Sequence, residues 1–325
     1  MSTQHELSLD KLPLHPVIAV LFTYNQEEYV RYAFEDLMGQ DIDMMTVIIS
    51  DDCSTDRTFQ IIQELVQATN SRFDIRARQN ESRLGFNNHI NKVAAEFSPE
   101  VMIPFAGDDR FYPSRARMLS DTQKRTSALL VHSGCSFITE TGQPRTSIHR
   151  DATFYHTTDP FSAARSSGLF IGATAAWSRE LFTRYGDLPR SPYEDLVLGF
   201  RATLTQRIQY VPEELMAYRV GVGQSVSKKS SRAKYFHQKR YVLHAHRQAC
   251  LKHKGKFKKL IEMIDHKLFE LRLRDAFLKS SKRVRLMRKK KPLLSLCFLA
   301  DELIRKIKQT CFRKDDRDIQ TGSHF

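Results

Sequence analysis

Over its first 105 residues the sequence switches repeatedly between two hydrophobic periods, and that alternation restricts the fold more than any other feature. Residues 17–22 (VIAVLF) form a continuous apolar run with β-branched members, the pattern of a strand buried on both faces. In residues 27–38, Val30, Ala33, Phe34, Leu37 and Met38 fall at i, i+3, i+4, i+7 and i+8, which predicts an amphipathic helix. Residues 46–50 (TVIIS) are a second buried strand. Asp56 stands where a helix cap belongs, ahead of Phe59, Ile62, Leu65 and Val66 at helical spacing. A weaker strand at 73–76 leads through Gly85 to a helix with Ile90, Val93, Ala94 and Phe97 on one face, and residues 101–105 are a fourth strand. This order predicts an α/β fold, a mainly parallel sheet with helices on both faces, whose ligands lie outside the carboxyl ends of the strands.

The pattern is more mixed from Asp109 to Val220, with a strand at 128–133, helices at 178–185 and 194–205, and extended pieces at 208–211 and 216–220. Beyond Ser227 come long Lys-rich helical segments, in which Phe257, Ile261, Ile264, Leu268 and Leu271 form one stripe. Three parts follow: an N-terminal tail (1–15), an α/β domain (16–227) and a basic helical extension (228–325). The extension holds 29 Lys/Arg against 9 Asp/Glu, whereas residues 1–227 hold 22 against 28, so an acidic body carries a strongly basic tail. The five cysteines are scattered and form no CxxC pair, which fits a reducing cytosol rather than a zinc site or a disulfide scaffold. The start of the chain has no signal-peptide pattern, and no apolar run approaches the ~20 residues of a spanning helix.

The polar clusters fall at the predicted strand ends. Gly107-Asp108-Asp109 puts two carboxylates directly after a buried strand. Adjacent side chains diverge in extended backbone, so one can hold a hard cation, Mn²⁺ or Mg²⁺, while the other reaches a hydroxyl. Such a cation would offset charge on a departing diphosphate. Ser50-Asp51-Asp52-Cys53-Ser54-Thr55-Asp56 offers a carboxylate to the N–H of a base edge. Tyr193-Glu194-Asp195-Leu196 sets two acids at a helix start, where they could cap the helix or act as a general base.

Taken in order, FTYNQEEYV, SDDCSTDRTFQII, NESRLGF, GDDRFYP and YEDL resemble glycosyltransferase family 2, inverting enzymes of the GT-A fold, over roughly residues 16–220. The resemblance implies that Tyr24 and Asp52 contact the nucleotide base, with Arg83 near the nucleotide-binding loop. It places Asp108 beside the ribose or donor sugar, Asp109 on the metal, and Asp195 as catalytic base with Glu194 as the alternative. The implied reaction is a single in-line displacement by an acceptor hydroxyl at the anomeric carbon of a nucleotide-diphosphate sugar. UDP is the first expectation for the nucleotide and dTDP the second; the sugar would be a hexose or N-acetylhexosamine. Processive members carry a QxxRW signature, and Gln224-Ser225-Val226-Ser227 lacks its Arg-Trp pair, which favours single addition. The expected acceptor is a glycan or lipid-linked glycan of cell-surface polysaccharide or lipopolysaccharide synthesis.

The tail suggests a cytoplasmic protein at the inner face of the membrane. Arg288-Lys289-Lys290-Lys291 followed by apolar residues 293–300 pairs basic charge with an apolar segment, as an interfacial helix does on an anionic membrane surface. Two rival readings fit less well. A nucleic-acid-binding protein would show a recognition motif, and basic charge alone supplies only nonspecific binding. A sugar-nucleotide pyrophosphorylase needs a Gly-rich basic loop after the first strand, where this chain has Thr23-Tyr24-Asn25-Gln26-Glu27-Glu28.

Overall fold

The computed structural model describes residues 14–145, 159–190, 193–223 and 232–288, with side chains in the last segment from 236 to 276. The sequence-predicted first half is present: β1 (Val17–Thr23), α1 (Val30–Met38), β2 (Thr46–Asp51), α2 (Thr58–Ala68), β3 (Asp74–Gln79), α3 (Phe86–Phe97) and β4 (Val101–Ala106). These are followed by β5 (Arg110–Phe111), α4 (Arg115–Thr126), β6 (Leu130–Ile138), β7 (Pro144–Arg145), α5 (Pro160–Arg165), a 3-10 turn (Gly172–Thr174), β8 (Ala175–Ser178), α6 (Glu180–Thr183), α7 (Glu194–Thr203), β9 (Ile208–Arg219), α8 (Arg232–Leu251) and α9 (Lys258–Arg288). The strands make one sheet in the order β3-β2-β1-β4-β8-β6-β9-β5, with β7 on β6.

The sheet is parallel from β3 to β4 and mixed beyond it. Strand β8 lies antiparallel between β4 and β6, and β5 lies antiparallel on β9. The sequence did not announce β8, because AAWS is too short to show a period. The two extended pieces after 207 are one strand, β9, whose pairing with β6 shifts register around Gly134. Pro212 sits at that irregularity, and a Cβ on Gly134 would lie 2.8 Å from its carbonyl oxygen.

Both faces are buried, as continuous apolar strands require. In β1, Ile18, Val20 and Phe22 join one core cluster, and Ala19 and Leu21 the other. The second cluster is covered by α1, α2 and α4; the first takes in α3, α5, α7 and the C-terminal helices. Trp177 is buried in the first cluster, and its neighbours across the sheet are Met102 and Leu130. His89 is a packed histidine whose Nε2 lies 2.7 Å from Ser50 Oγ.

The Lys-rich helices are built into this core. Val242, Leu243, Leu260, Ile264, Leu268 and Leu271 are buried with Leu196 and Phe200 of α7. Burial pushes His246 down to about 3, so the neutral ring donates from Nε2 to the Leu196 carbonyl at 3.0 Å and stacks on Phe200. Among the described residues no helix is long and apolar enough to cross a membrane. The Lys289–Lys291 run, the apolar segment 293–300 and Gln224–Ser227 lie outside the described residues.

Truncating Leu243 to Ala leaves a cavity between α8 and the domain, at a cost of about 2–5 kcal/mol. We expect denaturant unfolding to move to lower midpoint as one transition; an unchanged midpoint for the domain would show the helices to be an independent appendage.

Candidate active site

The carboxyl ends of β1, β2 and β4 lie level, because Thr23 pairs with Asp51 and Phe22 with Ala106. Three polar loops therefore leave the sheet side by side. The first two are cross-linked: Asn25 N–H donates to Ser54 Oγ (2.9 Å), Thr55 N–H to Asn25 Oδ1 (2.9 Å) and Gln26 N–H to Thr58 Oγ1 (2.7 Å). Asp56 accepts from Thr58 N at 3.0 Å at the start of α2 and from Glu27 N at 3.2 Å. The sequence marked it as a cap; the bond to the neighbouring loop is additional.

Asp51 and Asp52 lie beneath this surface. Asp52 is 1% exposed, and its carboxylate accepts from Asn80 Nδ2 and Leu84 N (both 2.9 Å) and from Gly85 N (2.8 Å). It thus holds the loop that carries Arg83. The Arg83 guanidinium stacks over the Tyr24 ring at 4.1 Å, with Arg83 exposed and Tyr24 half-buried. Tyr24 and Arg83 are brought together at the surface, with Asp52 behind them.

At the end of β4, Gly107 lies close against its neighbours: a Cβ there would lie 2.4 Å from Gln26 Oε1 and 3.0 Å from Thr23 Cγ2. Asp108 is half-buried beside Gln26, with which it shares a hydrogen bond, and its Oδ2 faces the backbone of Gly223. Asp109 points the other way. It is 2% exposed, and its Oδ1 accepts from Arg219 N at 2.8 Å. The Arg219 side chain donates from Nε to the Asp108 carbonyl (2.7 Å) and from Nη1 to the carbonyls of Thr139 (3.1 Å) and Glu140 (2.7 Å). Burial, reinforced by Asp108, drives the Asp109 carboxyl well above its usual range, against the pull of Arg219 and Arg115. The sequence reading put the metal on Asp109; the structure sets that carboxylate on the Arg219 N–H and leaves Asp108 half-buried between Gln26 and Gly223, where burial raises its carboxyl as well. The two neighbouring side chains diverge, as extended backbone predicts.

The acidic pair on α7 reaches the same end of the sheet through β8. Because β8 runs antiparallel to β4, the 3-10 turn before it lies level with the end of β4. Arg115, fully buried, fastens that turn: its Nη2 donates to the carbonyls of Ala173 (2.7 Å), Pro104 (3.1 Å) and Ala175 (3.2 Å), and Nη1 to Thr174 (3.3 Å). Glu194 packs on Gly172 of the turn, where a Cβ would clash with its Oε1. Glu194 is 9% exposed, and burial raises its carboxyl well above the usual range. Asp195 is half-buried; burial raises it to about 6, opposed by the N–H groups of Leu196 and Asp195 itself and by Lys239 of α8.

Sequence reasoning missed Gln26, Arg115, Gly172, Arg219, Gly223 and Lys239. Gln26 lies within FTYNQEEYV but shows its role only through its contact with Asp108, and the others act through tertiary contacts outside any local pattern. As for a cation, no group of three His, Cys, Asp or Glu is assembled among the described residues. Asp108 alone fits a hard ion that keeps waters and takes its remaining ligands from phosphate oxygens, the usual habit of Mg²⁺.

With this geometry in place, comparison with known proteins is direct. The structure is similar to that of S. aureus TarS (residues 1–349) in complex with UDP-GlcNAc, at 17% identity over 79% of this chain and 72% of that one, with a TM-score of 0.56. It is also similar to the mannosyltransferase PcManGT from Pyrobaculum calidifontis in complex with GDP-Man and Mn²⁺, at 17% identity over 94% of this chain and 90% of that one, with a TM-score of 0.52. These likenesses establish the GT-A fold. No curated protein matches by sequence. The sequence profile of glycosyl transferase family 2 matches residues 18–186, just over half of the chain. The chain is therefore a glycosyltransferase and belongs to glycosyl transferase family 2.

Proposed function

We propose that the enzyme transfers one sugar per encounter from a nucleoside-diphosphate donor, UDP first among the candidates, to an acceptor hydroxyl with inversion at the anomeric carbon. The observation that carries this reading is the convergence of Tyr24–Arg83, Asp108 and Glu194–Asp195 on one end of the sheet. In this reading the base of the nucleotide stacks at Tyr24 and Arg83, while Asp52 acts by fixing the Arg83 loop rather than by touching the base. Asp108 holds Mn²⁺ or Mg²⁺ together with the donor diphosphate. Bound there, the cation would offset the charge on the leaving group.

Asp195 is the base in this reading. A carboxylate near 6 is ionised at neutral pH yet basic enough to take the hydroxyl proton in the transition state, whereas burial favours the neutral form of Glu194. The hydroxyl attacks the anomeric carbon from the face opposite the diphosphate; its proton passes to Asp195 as the bond to the diphosphate breaks. We further place the acceptor among glycans or lipid-linked glycans of cell-surface polysaccharide or lipopolysaccharide synthesis, and the enzyme at the inner face of the membrane. The basic extension supports that location.

Three outcomes follow from these roles. In thermal-shift binding of UDP, dTDP and GDP with and without Mn²⁺, one nucleotide should raise the melting temperature in a metal-dependent way; no shift with any of them contradicts the donor site. Asp108→Ala should abolish the metal-dependent increment with little change in the apo melting temperature. Asp109→Ala should instead destabilise the apo protein by about 1–3 kcal/mol, since it leaves a buried N–H without its acceptor. The reverse pattern would return the metal to Asp109.

Asp195→Asn should reduce turnover about 10²–10⁴-fold with nucleotide binding retained, and turnover of the unaltered enzyme should fall as pH drops through about 6, because the base must be unprotonated. A rate independent of pH between about 5 and 8 would remove Asp195 from that role.

A further inference from the structure

Residues 186–189, between α6 and α7, are gripped by side chains to which the transfer reaction, as described, gives no role. Asn91 of α3 meets Leu188 with both halves of its amide: Nδ2 donates to the Leu188 carbonyl at 2.9 Å, and Oδ1 accepts from Leu188 N at 2.8 Å. One turn earlier on the same face of α3, Asn87 Nδ2 donates to the Pro189 carbonyl at 2.9 Å. The side chain of Arg201, on α7 itself, holds the other end of the segment. Its Nη1 donates to the carbonyls of Gly186 (2.7 Å) and Leu181 (3.1 Å), and its Nη2 to that of Asp187 (2.8 Å). Asn87, Leu188 and Arg201 are all buried.

These bonds connect the two sides of the candidate site. Helix α3 begins at Phe86, directly after the loop that carries Arg83, and Asp52 holds that loop through Leu84 N and Gly85 N. Asn88, next to Asn87, donates to the Leu84 carbonyl at 3.0 Å and fastens the loop to the helix. Helix α7 begins with Glu194 and Asp195, about two turns before Arg201. The 186–189 segment therefore ties the helix behind Arg83 to the helix that carries the acids. Among the described residues no side-chain cap closes the first turn of α7, so the placing of that turn depends on tertiary contacts. An amide that exchanges two hydrogen bonds with one backbone residue fixes orientation as well as distance, which a single bond or an apolar contact does not.

We propose that Asn91 and Asn87 are positioning residues: together with Arg201 they set α7 against α3, and so fix Glu194 and Asp195 relative to the loop that carries Arg83. Their importance for turnover rests on the assignment of Asp195 as base. Without the asparagines the first turn of α7 loosens and water reaches Asp195, while the Asp52 bonds keep the Arg83 loop in place.

The test follows the Asp195 carboxyl by carbon NMR titration of the full-length protein labelled at aspartate, its signal identified by loss in Asp195→Asn. In the unaltered chain the midpoint is expected at about 6. In Asn91→Ala it should fall by about one pH unit, since opening a buried carboxyl to water returns it toward the ordinary aspartate range. Asn87→Ala keeps the paired bonds to Leu188 and should move the midpoint less in the same direction; it decides the matter where Asn91→Ala does not fold. Leu119→Ala opens the core cluster on the other face of the sheet and should lower the melting temperature with the Asp195 midpoint unmoved. A midpoint unchanged in the asparagine variants, or shifted as far in Leu119→Ala, overturns the proposal and leaves the asparagines a purely structural role. An unaltered chain whose Asp195 titrates in the ordinary range overturns it too, because no buried acid would then be held. Full turnover by Asp195→Asn counts against the base assignment alone, since the titration does not depend on catalysis.

Discussion

The arrangement depends on a guanidinium that water never reaches. Arg115 is fully buried, and burial lowers it to about 9, so it still carries its charge at neutral pH. Such a charge is tolerable inside a protein only when it is surrounded by acceptors and an opposite charge. The carbonyls of Pro104, Ala173, Thr174 and Ala175 supply the acceptors, and Asp109 the field. Those carbonyls belong to β4 and to the turn and strand inserted against it. One side chain thus fixes the parallel half of the sheet to the antiparallel strand, and with it the level at which Glu194 and Asp195 meet the end of β4. Asp109 is held in turn by the backbone N–H of Arg219, so the end of β9 joins the same buried network.

The same economy of neighbours recurs at both acidic pairs. In Asp108-Asp109 and in Glu194-Asp195, one carboxyl is buried against structure and the other is left half-open. Burial raises the pKa of all four carboxyls, most strongly those of the inner members Asp109 and Glu194. Each pair thus sets one carboxyl against the fold and leaves its neighbour, one peptide bond away, half-open. Which member faces inward is set by contacts made far along the chain: Arg219 for the first pair and Gly172 for the second.

This explains how far the sequence could be read. The strands β1, β2 and β4 and the helices α1 and α3 were legible because each buries a face with its own period, and the loops at their ends carried the acidic clusters in the family's order. Strand β8 was not, since four residues cannot display a period. At Asp108-Asp109, local sequence shows that two side chains diverge but not which direction is the interior. The Lys-rich helices read as a basic extension, and Val242, Leu243, Leu260 and Ile264 of that extension lie in the core. A stripe of apolar residues was visible there; its partner on α7 was not.

In the proposed mechanism the half-buried carboxylate of Asp108, rather than the buried one of Asp109, holds the cation beside the donor diphosphate. Anomalous scattering from Mn²⁺ in crystals grown with UDP tests it without recourse to mutants. The account predicts a single strong peak within coordination distance of the Asp108 carboxylate, about 2–2.2 Å, with Asp109 still bonded to Arg219 N. A peak on Asp109, with that bond broken, would contradict it.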